Sequence, residues 1–170
     1  AELEAELEAE LEARRLQYDH YREVLLSGCD AEMKKVRIDH LFDLRAGKFV
    51  AASAIAAQPE DARSIPCYGG GGLRGYVGSA SHDGDHVLIG RQGALCGNVK
   101  RASGRFYATE HSVVVTERNG VDIRWAYHLL SHMNLNQYAS KSAQPGLAVG
   151  TLNQLMVAVP SLTEQRRIGS

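Results

Sequence analysis

The chain contains no run of about 18 consecutive apolar residues, the length a membrane-crossing helix requires. Nor does its N-terminus show the basic-then-apolar order of a secretory signal, since its first turns are rich in glutamate. Both absences point to a soluble, cytoplasmic protein without a membrane partner. Cysteine is sparse: Cys29, Cys67 and Cys96 are odd in number and far apart, which argues against a disulfide framework or a paired CxxC zinc knuckle and leaves buried free thiols. No GxxxxGK(S/T) phosphate loop occurs, and the glycines from Gly90 to Gly97 belong to no strand–GxGxxG–helix unit. No nucleotide cofactor is expected.

Catalytic constellations are missing as well. The prolines are nowhere adjacent, so the Asn/Asp-Pro-Pro-aromatic loop that resembles an amino methyltransferase site is absent. Asp83 and Asp85 lack the nearby lysine that a metal-dependent nuclease would want. His82-Asp83-Gly84-Asp85-His86 holds residues of metal-ligand type, but a glycine-centred polar turn explains the run as well. His128 and His132 stand four apart on a helix without the glutamate of HExxH, and Glu110-His111 has no nucleophile beside it. Neither a metal nor a catalytic residue is assigned.

What is present divides into two parts of opposite charge. The formal charge of the 170 residues is −1. Residues 1–28 carry three basic and eight acidic side chains, whereas residues 29–170 carry sixteen basic and twelve acidic ones. The modest basic surplus of the larger part permits a nucleic-acid partner without demonstrating one.

Three copies of Ala-Glu-Leu-Glu open the chain and continue into a stretch with no glycine or proline before Gly28, which predicts one long helix. Leu7, Leu11, Arg14, Tyr18, Tyr21 and Leu25 recur at steps of four and three, the spacing of a coiled-coil seam that needs a partner helix. Short β-type runs follow at Val36–Phe42, Ile65–Tyr68, His86–Ile89, Phe106–Thr109 and Ser112–Thr116, parted by glycine-rich turns. Four glycines, Gly69 to Gly72, demand a sharp turn or close backbone contact. Asp122–Leu135 reads as an amphipathic helix, Ser140–Gly150 as a polar loop, and Leu155–Val159 as a short strand. Ser161 and Glu164 form a capping-box pattern at the start of a last helix. The predicted class is α+β: a spacer helix at 1–28, one recognition domain of short curved strands with a few helices at 29–160, and the start of a second, truncated spacer helix at 161–170.

The stretches IPCYGGGGLRGYV, HVLIGRQGALCGNV, RFYATEHSVVV and SAQPGLAVGTLNQLMVAVPSLTEQRRI, in this order, resemble a target recognition domain of type I restriction-modification specificity subunits. ELEARRLQYDHYREVLL resembles the end of the spacer helix that precedes such a domain. The resemblance implies a non-catalytic module that reads one half of a split duplex-DNA site and docks methyltransferase subunits. It also implies that the tetrapeptide copies act as a length device, each adding about 6 Å of helix. Family members carry two recognition domains. This chain has one, so it would form a homodimer through the seam or pair with a second specificity half, and a homodimer would read a split palindrome. Two other readings stay open: a DNA-recognition segment of a larger fused enzyme, and a coiled-coil adaptor whose globular part binds protein.

Reading duplex DNA takes Arg or Lys for guanine and Asn or Gln for adenine, with further cations on phosphates. Arg74 follows the four glycines, and Arg91-Gln92 lies between Gly90 and Gly93. Lys141, Ser142 and Gln144 occupy the polar loop, and Lys100, Arg101 and Arg105 form a basic cluster. These residues are the expected DNA contacts. Lys48 is a weaker candidate, and Tyr68 reads as core.

Overall fold

The structure, a computed structural model, describes residues 2–27, 34–118 and 120–170, with the side chains of 4–17 in the first helix. The side chains of Tyr18, Tyr21 and Leu25 in the seam, together with Cys29 and the expected boundary after residue 28, lie outside what is described. Helix α1 spans Glu2–Ser27. Leu7, Leu11 and Leu16 stand 68%, 52% and 66% exposed on it, so these three leucines are turned to solvent in the single chain. Glu10 and Arg14 form an i,i+4 pair at 2.7 Å, an arrangement that adds a few tenths of a kcal/mol, roughly, to helix stability.

The run read as one strand over Val36–Phe42 is instead three elements: β1 (Lys35–Arg37), a single helical turn α2 (Ile38–Leu41) and β2 (Phe42–Ala46). Ile38, Leu41 and Phe42 are all buried. A continuous strand would send the adjacent Leu41 and Phe42 to opposite faces, whereas one helical turn directs all three inward. The turn also moves the chain from one sheet to another.

Next come β3 (Ile65–Gly69), β4 (Gly72–Val77), β5 (His86–Gly90), β6 (Val99–Ala102), β7 (Tyr107–Ala108) and β8 (Ser112–Glu117). Strands β4 and β6 were not expected from the sequence. The glycines of β4 hide its pattern, and Lys100-Arg101 in the middle of β6 suits a sheet edge, where charge discourages pairing with other chains. Helix α3 (Ile123–His132) is shorter than the expected Asp122–Leu135. Asn134 enters the left-handed region at φ +47°, and Leu135–Tyr138 continues as a 3-10 turn. A short α4 (Val149–Asn153) occupies the end of the segment read as loop, followed by β9 (Met156–Ala158) and α5 (Leu162–Gly169).

The strands form an antiparallel sheet β2-β8-β5-β6, a mixed sheet β4-β3-β7 and a β1-β9 pair. Strands β5 and β8 are central and buried on both faces, which explains why Val87-Leu88-Ile89 and Val113-Val114-Val115 are continuous apolar runs without alternation. On one face Val87, Ile89, Val113 and Val115 join Phe42, Leu44, Trp125 and Leu130 in the main core. On the other, Leu88 and Val114 meet Ala102, Phe106 and Ala108, and Tyr68 packs against them, as its reading as core anticipated. Tyr68 and Phe106 meet edge to face at 5.9 Å between centroids. This second core couples the two sheets.

The helix starts follow local rules. The Asp122 carboxylate accepts hydrogen bonds from the N–H groups of Arg124 and Trp125 at 2.9 and 3.2 Å. Burial opposes ionisation of this carboxyl, but the Arg124 side chain and those two N–H groups outweigh it and hold its pKa below the ordinary 3.8. At α5 the capping box is half formed. Ser161 Oγ accepts from the Glu164 N–H at 3.4 Å, while the Glu164 carboxylate pairs with Arg167.

Candidate nucleic-acid interface

One end of the β5–β8 pair is built from backbone packed on backbone. A methyl group on Gly90 would lie 2.2 Å from the Gly70 carbonyl oxygen and 2.6 Å from that of Leu95. Only a residue without Cβ lets the hairpin turn sit directly on the strand end. The Gly90 carbonyl accepts from the Gly97 N–H at 2.7 Å, and the Gly93 carbonyl accepts from that of Cys96 at 3.0 Å, so the 91–97 loop closes on itself. A third segment is pinned beside it: Leu147 N–H donates to the Arg91 carbonyl at 2.9 Å and Gly93 N–H to that of Pro145 at 3.0 Å. Three sequence-distant loops are thereby held as one surface.

Between the first two loops lies an open groove of about 580 Å³ whose lining includes Gly70, Arg74, Gln92, Leu95 and His111. Arg74 reaches it through a β-bulge. The register of β3 with β4 shifts between Cys67 and Tyr68, which pair with Gly75 and Leu73, leaving Arg74 as the extra residue. Bulges redirect a side chain in this way. The Arg74 side chain then lies over Gly69, 3.7 Å from where a Cβ would stand. Lys100 joins from β6, its aliphatic stem 3.7 Å from the corresponding position at Gly72.

Lys141, Ser142 and Gln144 are exposed at the tip of the third loop. The Ser142 hydroxyl donates to the Gln144 carbonyl at 2.7 Å, so it shapes the loop while Lys141 and Gln144 project. Arg91 is half-buried, and its Nε is shut off from solvent with no acceptor among the described residues. A buried donor without a partner is costly and suits an acceptor that arrives with a ligand.

The expected basic cluster of Lys100, Arg101 and Arg105 does not hold together. Neighbouring residues of a strand face opposite sides, and the register sets Arg101 opposite Val87 and Lys100 opposite Leu88, which belong to different cores. Arg105 follows the far end of β6 and sits near the His82–His86 turn, where Gly84 N–H donates to the Gly104 carbonyl at 3.2 Å. Lys48 forms an isolated parallel bridge with Thr109, just past β7.

Pairing separates the arginines more clearly than composition does. Arg37, Arg45, Arg63, Arg118 and Arg124 each hold a carboxylate at 2.5 to 3.3 Å, and Arg167 holds Glu164. Arg74, Arg91, Lys100, Arg101, Arg105 and Lys141 have no ion pair among the described residues.

His111 is the lining residue that sequence reasoning assigned to strand-end structure. Its Nε2 lies 3.2 Å from Glu110 Oε1, and its position on the groove depends on the fold rather than on any local pattern. The remaining titratable groups serve packing. His82 stacks on Phe106 with centroids 5.3 Å apart and planes at 12°, and its Nδ1 is 2.7 Å from Ser81 Oγ. Burial, then the charges of His86 and Lys48, push its pKa down from 6.5. Burial raises the thiols of Cys67 and Cys96, both free and enclosed. Among the described residues no group of three or more His, Cys, Asp or Glu side chains is placed to hold a metal ion, and no helix is long and apolar enough to cross a membrane.

Comparison with known proteins places this arrangement in context. The type I restriction modification DNA specificity domain matches residues 31–170. The type I restriction enzyme EcoprrI specificity subunit of Escherichia coli is 55% identical over 154 residues, covering 89% of this chain but 38% of that protein. Thus the chain spans well under half the length of this relative. The fold is similar to the type I S subunit of M. genitalium, with a TM-score of 0.77 at 18% identity over 97% of this chain and 48% of that one. It is also similar to the HsdS subunit of Thermoanaerobacter tengcongensis, at TM-score 0.66 and 19% identity over 99% and 47% of the two chains.

Proposed function

The chain belongs to the type I restriction-modification specificity family, and on that premise we propose that it reads one half of a bipartite duplex-DNA target through the glycine-built surface described above. What supports this reading is that Arg74 and Gln92 line one groove, that backbone hydrogen bonds tie the Arg91 loop to the segment at 145–147 beyond Lys141, and that none of these cations is neutralised by a carboxylate among the described residues. Arg74 and Gln92 have the donor geometry for guanine and adenine edges. The half-enclosed Arg91, Lys100 and Lys141 neutralise phosphates, and Gln144 extends the reach of the third loop. Arg101 and Arg105 contribute outer phosphate contacts.

In this reading the module is non-catalytic and delivers methyltransferase subunits, which dock along α1. The exposed Leu7 and Leu11 begin the seam against a partner helix, from a second copy or a second specificity half. The helix acts as the spacer between recognition bodies, and 29–160 is the reading unit.

Selection of duplexes from a random pool, followed by a gel shift on the enriched sequence, tests the proposal. A defined half-site bound at least a hundredfold more tightly than scrambled duplex is expected; equal affinity for both removes the reading.

A further inference from the structure

The groove contains a feature that cation placement does not explain. Leu73 and Leu95 leave 56% and 55% of their surface to water, although they line a cavity formed otherwise by glycines, Ala94 and polar groups. They come from separate segments, β4 and the 91–97 loop. Leu95 lies over Gly71: its Cδ1 is 2.6 Å from the position a Cβ would take there, so the absence of a side chain makes room for the leucine tip. A half-exposed leucine forgoes hydrophobic stabilisation that burial would supply. Two of them on one groove mark a surface that gains when something apolar and small arrives.

The neighbours narrow what that is. Arg74 follows Leu73 in the chain, and Gln92 and His111 face the same groove. A protein partner would be matched by a broad apolar patch, whereas here two branched tips are interspersed with hydrogen-bond donors. The major-groove edge of duplex DNA has this alternation, with the thymine C5 methyl projecting beside the acceptor atoms of its own and neighbouring pairs.

We infer that Leu73 and Leu95 form a thymine-reading pair: the half-site contains an A·T base pair whose methyl group docks between the two leucines, next to a base read by Arg74 or Gln92. The inference rests on the DNA-reading function proposed above and assigns to the groove a specificity that hydrogen bonding alone would not give. Gly71 acts as a positioning residue, because a side chain there would displace Leu95.

Uracil differs from thymine by that methyl alone, which supplies the test. The full chain is used to select duplexes from a random pool, and each thymine of the enriched half-site is then replaced by uracil in turn. One position is expected to weaken binding about fourfold, the size of one buried methyl, while the others change little. Leu73→Ala with Leu95→Ala should remove this discrimination, and Leu95→Met, which keeps an apolar tip, should retain it. Both leucines are exposed, so an unchanged thermal midpoint verifies that the variants fold. Specific binding to a site without thymine, tolerance of uracil throughout, or discrimination surviving in the double alanine variant overturns the inference while leaving DNA reading intact. Failure to enrich any sequence overturns both.

Discussion

The two ends of the main sheet use the same residue types to opposite effect. Where the start of β2 meets the end of β8, Asp43 takes Arg45 at 2.8 Å and Arg118 at 3.3 Å, and these cations are spent within the protein. At the Gly90 end of β5, glycines let three loops stack without side chains between them, and the cations around them keep their charge for something else. Basic composition therefore does not locate an interface. What locates it is basic charge left unneutralised on a surface stiffened by backbone packing, because a stiff surface has little conformational entropy to lose on binding.

Filling the glycine joint should break this contrast most severely. Gly90→Ala places a methyl inside the Gly70 and Leu95 carbonyls, so the loops must part. Loss of about 2–3 kcal/mol of stability is expected from overpacking, read by denaturant unfolding, together with loss of detectable specific DNA binding. Removing charge without disturbing the joint comes next. Arg74→Ala and Arg91→Ala should each weaken specific binding by about 10- to 100-fold in titrations at moderate salt, with little change in unfolding midpoint.

A smaller effect is expected at the α3 start, away from the groove. Asp122→Ala should cost about 1 kcal/mol near neutral pH through loss of the cap, with groove affinity unaltered. Because the folded carboxyl titrates below its ordinary 3.8, its contribution is present above that pH and disappears as pH falls through the folded value. Wild type and Asp122→Ala should therefore converge in stability under acid, and a constant gap would count against the cap. The smallest effect belongs to the clamped cations. Arg118→Ala should alter stability by less than about 0.5 kcal/mol and binding by less than about twofold, since the pair is exposed; a tenfold loss of affinity would erase the distinction between the two ends.

Features governed by nearest neighbours in the chain were legible before the fold was known. Asp122 caps α3 as its position suggested, and β5 and β8 lie where β-type runs were expected at His86–Ile89 and Ser112–Thr116. The candidate residues Arg74 and Gln92 were read from their glycine neighbours, and the groove lining unites them. Features governed by competition between local preferences were not legible. Val36–Phe42 alternates well enough for a strand, yet the two-sheet crossing favours a helical turn that buries Leu41 and Phe42 together. Lys100 and Arg101 look like one cluster until the pleat sends them to opposite faces.

Composition, periodicity and turn chemistry act over a few residues at a time, and they were enough to read an acidic helical stretch ahead of mildly basic α+β sequence, the family likeness, and the residue types capable of reading base edges. Tertiary structure alone decided that the loops at 69–74, 91–97 and 140–147 share one surface, that His111 and two leucines line its groove, and which arginines are already neutralised. Those outcomes depend on strand register and on glycine-permitted backbone contact between segments far apart in the chain, which no local pattern encodes.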